Sequence, residues 1–159
     1  MKGRIGDRAL ENCIKPEFLD IINTAICQAI HRHIGKKAAE FFREVGELHL
    51  NEVLKRELVK IELNDKPMDV LSKIAKYLES EGYMEKITIE KLSRNEAILK
   101  MHGVSVLRSS ARMIREHKQP SHFMTNVMLA SLRRIGIDAA VEDTEIDEEN
   151  GYVEEHWKM

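Results

Sequence analysis

The chain has 159 residues, 43% of them hydrophobic and 33% charged, with a formal net charge of −2. That length and composition describe a soluble globular domain with enough chain to bury a core. The near-neutral charge argues against a general nucleic-acid binder, and no apolar run approaches the roughly 20 residues of a membrane span.

Residues 1–15 show no periodicity and read as an N-terminal arm, leaving 16–159 as one domain. The start MKGRIGDR lacks the apolar core of a signal peptide, so the expected location is cytoplasmic. Cys13 and Cys27 match no metal or redox spacing and read as reduced thiols. Pro16 opens a first helix over 16–34, with Phe18, Ile22, Ala25, Ile26, Ala29 and Ile30 as its apolar stripe and Gly35 at its end. A second helix starts near Lys36 and carries Ala38, Phe41, Phe42, Val45 and Leu48 on one face. Its stripe then shifts to Leu50, Val53, Leu54, Leu58 and Ile61. The shift follows Gly46, which predicts a close helix contact or a bend there.

A third helix spans about 67–81, with Val70, Leu71, Ile74, Ala75 and Leu78 inward and Gly82 as its cap. Alternation over 83–92 and again over Ala97, Leu99 and Met101, separated by Ser93-Arg94-Asn95-Glu96, predicts a β-hairpin. Residues 103–119 fit either a strand extension through Val104 and Val106 or a short helix over 109–117.

A central helix then follows from Pro120. Met124, Val127, Met128, Leu132 and Ile135 share a face, and Phe123, Leu129 and Ala130 widen it until only Asn126, Arg133 and Arg134 point to solvent. Gly136 caps it, and Ile137, Ala139 and Val141 begin a strand whose parity changes near Glu142, as a bulge would cause. Asn150-Gly151 predicts a tight hairpin turn, returning residues 152–157 as an edge strand. The fold class is therefore α+β: three N-terminal helices, a hairpin, a central helix and a second hairpin, with the helices packed on an antiparallel sheet.

Charge is unevenly spread. The stretch 100–134 is basic and 142–155 wholly acidic, which predicts that elements of opposite sign cover one another, within the chain or across a dimer. The acidic side chains after Glu142 read as solvated. No phosphate loop, nucleophile elbow or HExxH occurs, so no enzyme class is supported and no cofactor is expected. No His or Cys pair has zinc-site spacing; His122, beside Ser121, is only a weak metal candidate. Met101, Met124 and Met128 with Phe123 and Val127 fit an adaptable apolar pocket, or equally a filled core, which is the commoner role of methionines at helical spacing.

The order Pro120-Ser121-His122-Phe123, an apolar helix through Met128 to Leu132, Gly136, and then Val141 to Glu145 resembles the C-terminal half of the vinyl-reductase-type small-ligand-binding domain, whose relatives include the TRAPP vesicle-tethering subunits. The helix with internal Gly46, and the third helix ending on Gly82-Tyr83 before a hairpin, keep that family's order, so the resemblance spans about 36–147. Ser121 stands where the family often has cysteine, and the C-terminal cysteine pair of many members is absent. The resemblance implies a non-catalytic sensor or adaptor that buries an apolar molecule or binds a protein partner. The alternative is a DNA-binding regulator with a winged-helix element at about 69–101, against which the near-neutral charge weighs. A homodimer is expected, because the stripe of the first helix has no obvious cover.

Overall fold

A computed structural model describes residues 14–117 and 123–159. Pro16 begins α1 (Pro16–Ile34), and Gly35, at φ 58°, ends it and turns the chain through a 3-10 segment (Gly35–Lys37) into α2 (Ala38–Lys55). The second helix is shorter than its apolar pattern implies. Glu57 adopts φ 57°, so Leu58 and Ile61 lie past the helix rather than on its face. α3 (Pro67–Ser80) again starts on proline and stops just before Gly82.

The hairpin follows as β1 (Lys86–Lys91) and β2 (Glu96–His102). The ambiguous stretch after it is mostly helical. Val104 and Val106 leave the sheet for the core, and the chain enters α4 (Leu107–His117). The central helix is α5 (Phe123–Arg134), and β3 (Ala140–Asp147) and β4 (Tyr152–Lys158) complete the expected α+β architecture. The N-terminal arm, except Ile14 and Lys15, lies outside the described residues, as do Pro120, Ser121 and His122.

The four strands form one antiparallel sheet in the order β1-β2-β4-β3. The ladder shifts register between Val141 and Asp143, the bulge that the parity change requires. The last strand is not an edge. It pairs with both β2 and β3, because Val153, Glu155 and Trp157 all point into the core at 0–2% exposure. Val70, Leu71, Ile74 and Leu78 of α3 join Val127, Met128 and Leu132 of α5 and Leu99, Met101, Val153 and Trp157 of the sheet in the main core. A smaller cluster, Cys27, Ile30, Ala38, Phe42 and Met113, fills the corner between α1, α2 and α4.

The close contact expected at Gly46 is present. A Cβ there would stand 2.5 Å from the backbone carbonyl carbon of Asn126, so α2 and α5 meet with no room for a side chain. Asn126 is for this reason half-buried against α2 rather than turned to solvent.

Candidate functional site

The five residues expected to line a pocket divide between two clusters. Val127, Met128 and Met101 are 0%, 1% and 5% exposed within the main core, with Met124 half-buried against it. Phe123 belongs to the smaller cluster, its ring 5.3 Å from that of Phe42.

A cavity of about 320 Å3 lies further round the same helix, between α2, α5 and the start of β3. Phe42, Leu129, Ala139 and Val141 give it apolar walls, and Thr125, Asn126, Arg43, Arg133 and Asp138 its polar atoms. Thr125, Leu129 and Arg133 are spaced i, i+4 and i+8, so they form one line along α5. Periodicity alone marks that line as weakly apolar, which is why the methionine face looked the better pocket wall.

Arg133 departs most from expectation. A cation in a last helical turn ordinarily reaches solvent, where it complements the helix dipole. Its side chain here is only 18% exposed, folded against α2 with Nη2 3.0 Å from Glu47 Oε1. That carboxylate oxygen is shared, since Arg43 Nε lies 3.5 Å from it. The Glu47 contact is an ion pair without hydrogen-bond alignment: Nε and Nη2 of Arg133 are both buried and neither makes a hydrogen bond. Buried donors without acceptors are uncommon in folded proteins.

Thr125 connects the cavity wall to a buried carboxyl group. Its hydroxyl donates to Glu155 Oε1 at 2.8 Å, and Trp157 Nε1 donates to Glu155 Oε2 at 3.0 Å. Glu155 is 0% exposed, so the acidic run that reads as solvated in the sequence has one member in the core. Burial pushes its carboxyl up to about 7, against the opposing pull of the two hydrogen bonds. The alternation Val153, Glu155, Trp157 is the signal that could have found it.

α1 attaches to the fold by a face that combines Cys27 and Ile30 of the smaller cluster with polar bonds. Ser109 N–H donates to Asp20 Oδ1 at 2.9 Å, Asn23 Nδ2 to Ser109 Oγ at 2.7 Å, and Gln28 Nε2 to Glu116 Oε2 at 2.7 Å, all bonds to α4. The opposite side carries Phe18, Ile21, Ile22 and Ile26, between 38% and 61% exposed. Opposite charges do meet within the chain as expected: Arg115 pairs with Glu148, and Lys100 Nζ lies 3.4 Å from Glu154.

His31 of α1 stacks on His117 of α4, ring centroids 3.6 Å apart and nearly parallel, with both Nε2 atoms buried and unbonded. Among the described residues no three His, Cys, Asp or Glu side chains are placed to hold a metal ion, and no helix is long and apolar enough to cross a membrane.

No known family and no curated protein matches the chain by sequence. Among solved structures, one described as "Modulating Heme Redox Potential Through Protein-Induced Porphyrin Distortion" superposes with a TM-score of 0.54, covering 93% of this chain and 78% of that one at 9% identity. At that identity the likeness is one of fold.

Proposed function

We propose that the chain is a non-catalytic, cytoplasmic binding module that takes a small apolar molecule into the cavity along α5. The cavity itself carries this reading. Its volume of about 320 Å3 falls within the range of small-molecule sites, and Phe42, Leu129, Ala139 and Val141 give it apolar walls beside its polar groups. The resemblance of residues 36–147 to the vinyl-reductase-type domain and TRAPP subunits points the same way, as does a fold shared with a protein described by its heme. Heme itself is not the ligand we infer here. The cavity lining includes no His, Cys, Met or Tyr to hold iron. The winged-helix alternative gains nothing from its hairpin, which is half of the four-stranded sheet.

A bound guest stabilises the fold by mass action, by about 2.7 kcal/mol at one hundred times its dissociation constant. Leu129→Trp should fill the cavity, leave the unliganded fold intact and remove the thermal response of the parent to apolar ligands. A parent with no response, together with a destabilised Leu129→Trp protein, would mean that the space is not a ligand site.

The reading includes a second copy of the chain on α1. A helix that leaves Phe18, Ile21, Ile22 and Ile26 uncovered on one face is half of an interface. Glu17 near its start and Arg32 near its end favour an antiparallel, two-fold pairing in which unlike charges meet. Light scattering at micromolar concentration should give a dimer mass, and Ile21→Glu with Ile26→Glu should give a folded monomer. A monomeric parent would remove α1 as a dimer surface.

A further inference from the structure

We infer that filling the α5 cavity and protonating Glu155 favour each other, so that acid conditions load the module and alkaline conditions unload it; this rests on the ligand-binding reading of that cavity. Thr125 supplies the link. It lines the cavity, and its hydroxyl donates to Glu155 Oε1 at 2.8 Å. One residue thus touches both the space and a carboxyl that is 0% exposed. A charged carboxylate so placed depends on its hydrogen bonds and on whatever solvent polarises nearby. The cavity brings solvent close, because exposed Asp138 stands in its wall and opens it to water. An apolar guest replaces that water with hydrocarbon. The exchange costs the charged form of Glu155 and leaves the protonated form almost untouched. The guest therefore raises the proton affinity of Glu155, and by reciprocity the protonated chain binds the guest more tightly.

The surroundings of Glu155 set the sign. Leu99 of β2 and Thr144 of β3 stand opposite it, and Trp157 donates to its other oxygen at 3.0 Å. No cation holds it charged. Burial keeps the nearby Tyr83 phenol protonated, and the charge of Glu155 adds to that effect. The charges around the cavity are Arg43 and Arg133 with Glu47 and Asp138, two of each sign. Arginines and solvated carboxylates do not titrate near neutrality. His31 lies next to Phe42, a wall of the cavity, with ring centroids 5.7 Å apart. Drying that wall favours neutral His31, which would tighten binding toward alkaline pH, the opposite sign. Burial raises the Glu155 carboxyl to about 7, so below that pH the free chain already carries the proton and binds at full strength. As pH rises through 7, binding must take a proton from solvent, and affinity falls.

Octanol does not ionise, so any pH dependence of its binding belongs to the protein. In calorimetric titration its affinity for the parent should weaken about tenfold between pH 5 and 9, the effect of a tenfold gain in the proton affinity of Glu155. At pH 7, titrations in phosphate and in Tris, whose heats of ionisation differ, should differ in the sense of proton uptake. The infrared band of a buried, protonated carboxyl should grow when octanol is added at that pH. Glu155→Gln, neutral throughout, should bind octanol at every pH as the parent does at pH 5, with no buffer dependence. If that variant fails to fold, the buffer pair and the infrared band of the parent decide. Octanol affinity that ignores pH, proton release in place of uptake, or a pH slope retained in Glu155→Gln would overturn the linkage while leaving the cavity reading standing. No octanol binding at any pH would end the cavity reading and the linkage with it.

Discussion

Helix α1 is fastened through Asp20, Asn23 and Gln28 and turns Phe18, Ile21 and Ile26 toward water. Helix α5 does the reverse. It buries Val127, Met128 and Leu132 and draws Thr125, Ser131 and most of Arg133 in with them. Both helices show apolar stripes in the sequence, yet the α1 stripe reaches its own chain's core only at Ile30, whereas the α5 stripe is covered along its length. Hydrophobic periodicity reports that a face wants cover. It does not report what covers it, nor that polar groups will be covered too. The uncovered stripe calls for a partner, and the buried polar groups call for an internal acceptor or a ligand.

Truncation at equivalent apolar positions should show the largest difference. Leu132→Ala, at 0% exposure in the main core, should cost about 2–5 kcal/mol in urea unfolding. Ile21→Ala, at 61% exposure, should stay within about 0.5 kcal/mol in dilute protein where any dimer has dissociated. Equal costs would break the comparison, because α1 would then be packing within its own chain.

Glu155 tests the buried polar side of the contrast. Its carboxyl is raised from 4.5 to about 7, so the folded chain holds a proton there that the unfolded chain has released. The group's most favourable contribution is present below about pH 4.5 and is lost as pH rises through 7, a loss on the order of 3 kcal/mol. Glu155→Gln keeps an uncharged acceptor for Thr125 and Trp157 and should flatten stability over that window. A parent whose stability does not decline between pH 5 and 8 relative to Glu155→Gln would mean that the carboxyl is charged in the fold.

Much of this architecture was legible in the sequence. Pro16 and Gly35 bound α1, Asn150-Gly151 marks the last turn, and the parity change near Glu142 marks the bulge, because each is local backbone chemistry. The apolar break at Gly46 foretold a close helix contact or a bend, although not that α5 and its Asn126 would be the partner. What stayed hidden is non-local. Arg133 is half-buried because Glu47, on a helix far earlier in the chain, lies against it. β4 is internal because the hairpin from β1 and β2 arrives on its other side. No window of sequence around either element contains the element that covers it.

Gly46→Ala comes next in size and sharpens the account of α5 itself. Alanine is the better helix former by about 1 kcal/mol, and Gly46 needs no left-handed backbone. Its Cβ would nevertheless meet Asn126 backbone atoms at 2.5–2.6 Å, which a helix cannot yield as a flexible side chain would. The net result should be a loss of roughly 1–3 kcal/mol by thermal or urea unfolding. A stabilised variant would show that α2 and α5 are free to slide apart.

The smallest effect is expected where α1 meets α4. Burial lowers the pKa of His31, and the neighbouring His117 lowers it further, so the fold favours a neutral His31 ring in the stack. Neither Nε2 has an acceptor to reward a proton, and Glu116, with Oε2 3.8 Å from His117 Nε2, lies on the His117 side of the stack. The unfolded chain therefore takes up a proton on His31 before the folded chain does. The stability gained from neutral stacking is present above the unfolded value of about 6.5 and is lost as pH falls below it. Its slope opposes that of Glu155, and the shallower burial of His31 makes it the smaller of the two. His31→Phe keeps an aromatic face toward Phe42, whose ring is 5.7 Å away, and removes the titration. In a Glu155→Gln background, where the opposing slope is absent, the His31 variant should resist acid unfolding between pH 7 and 5 better than its parent. Identical acid transitions in the two proteins would show that the ring pair opens to solvent and takes its proton without leaving the fold.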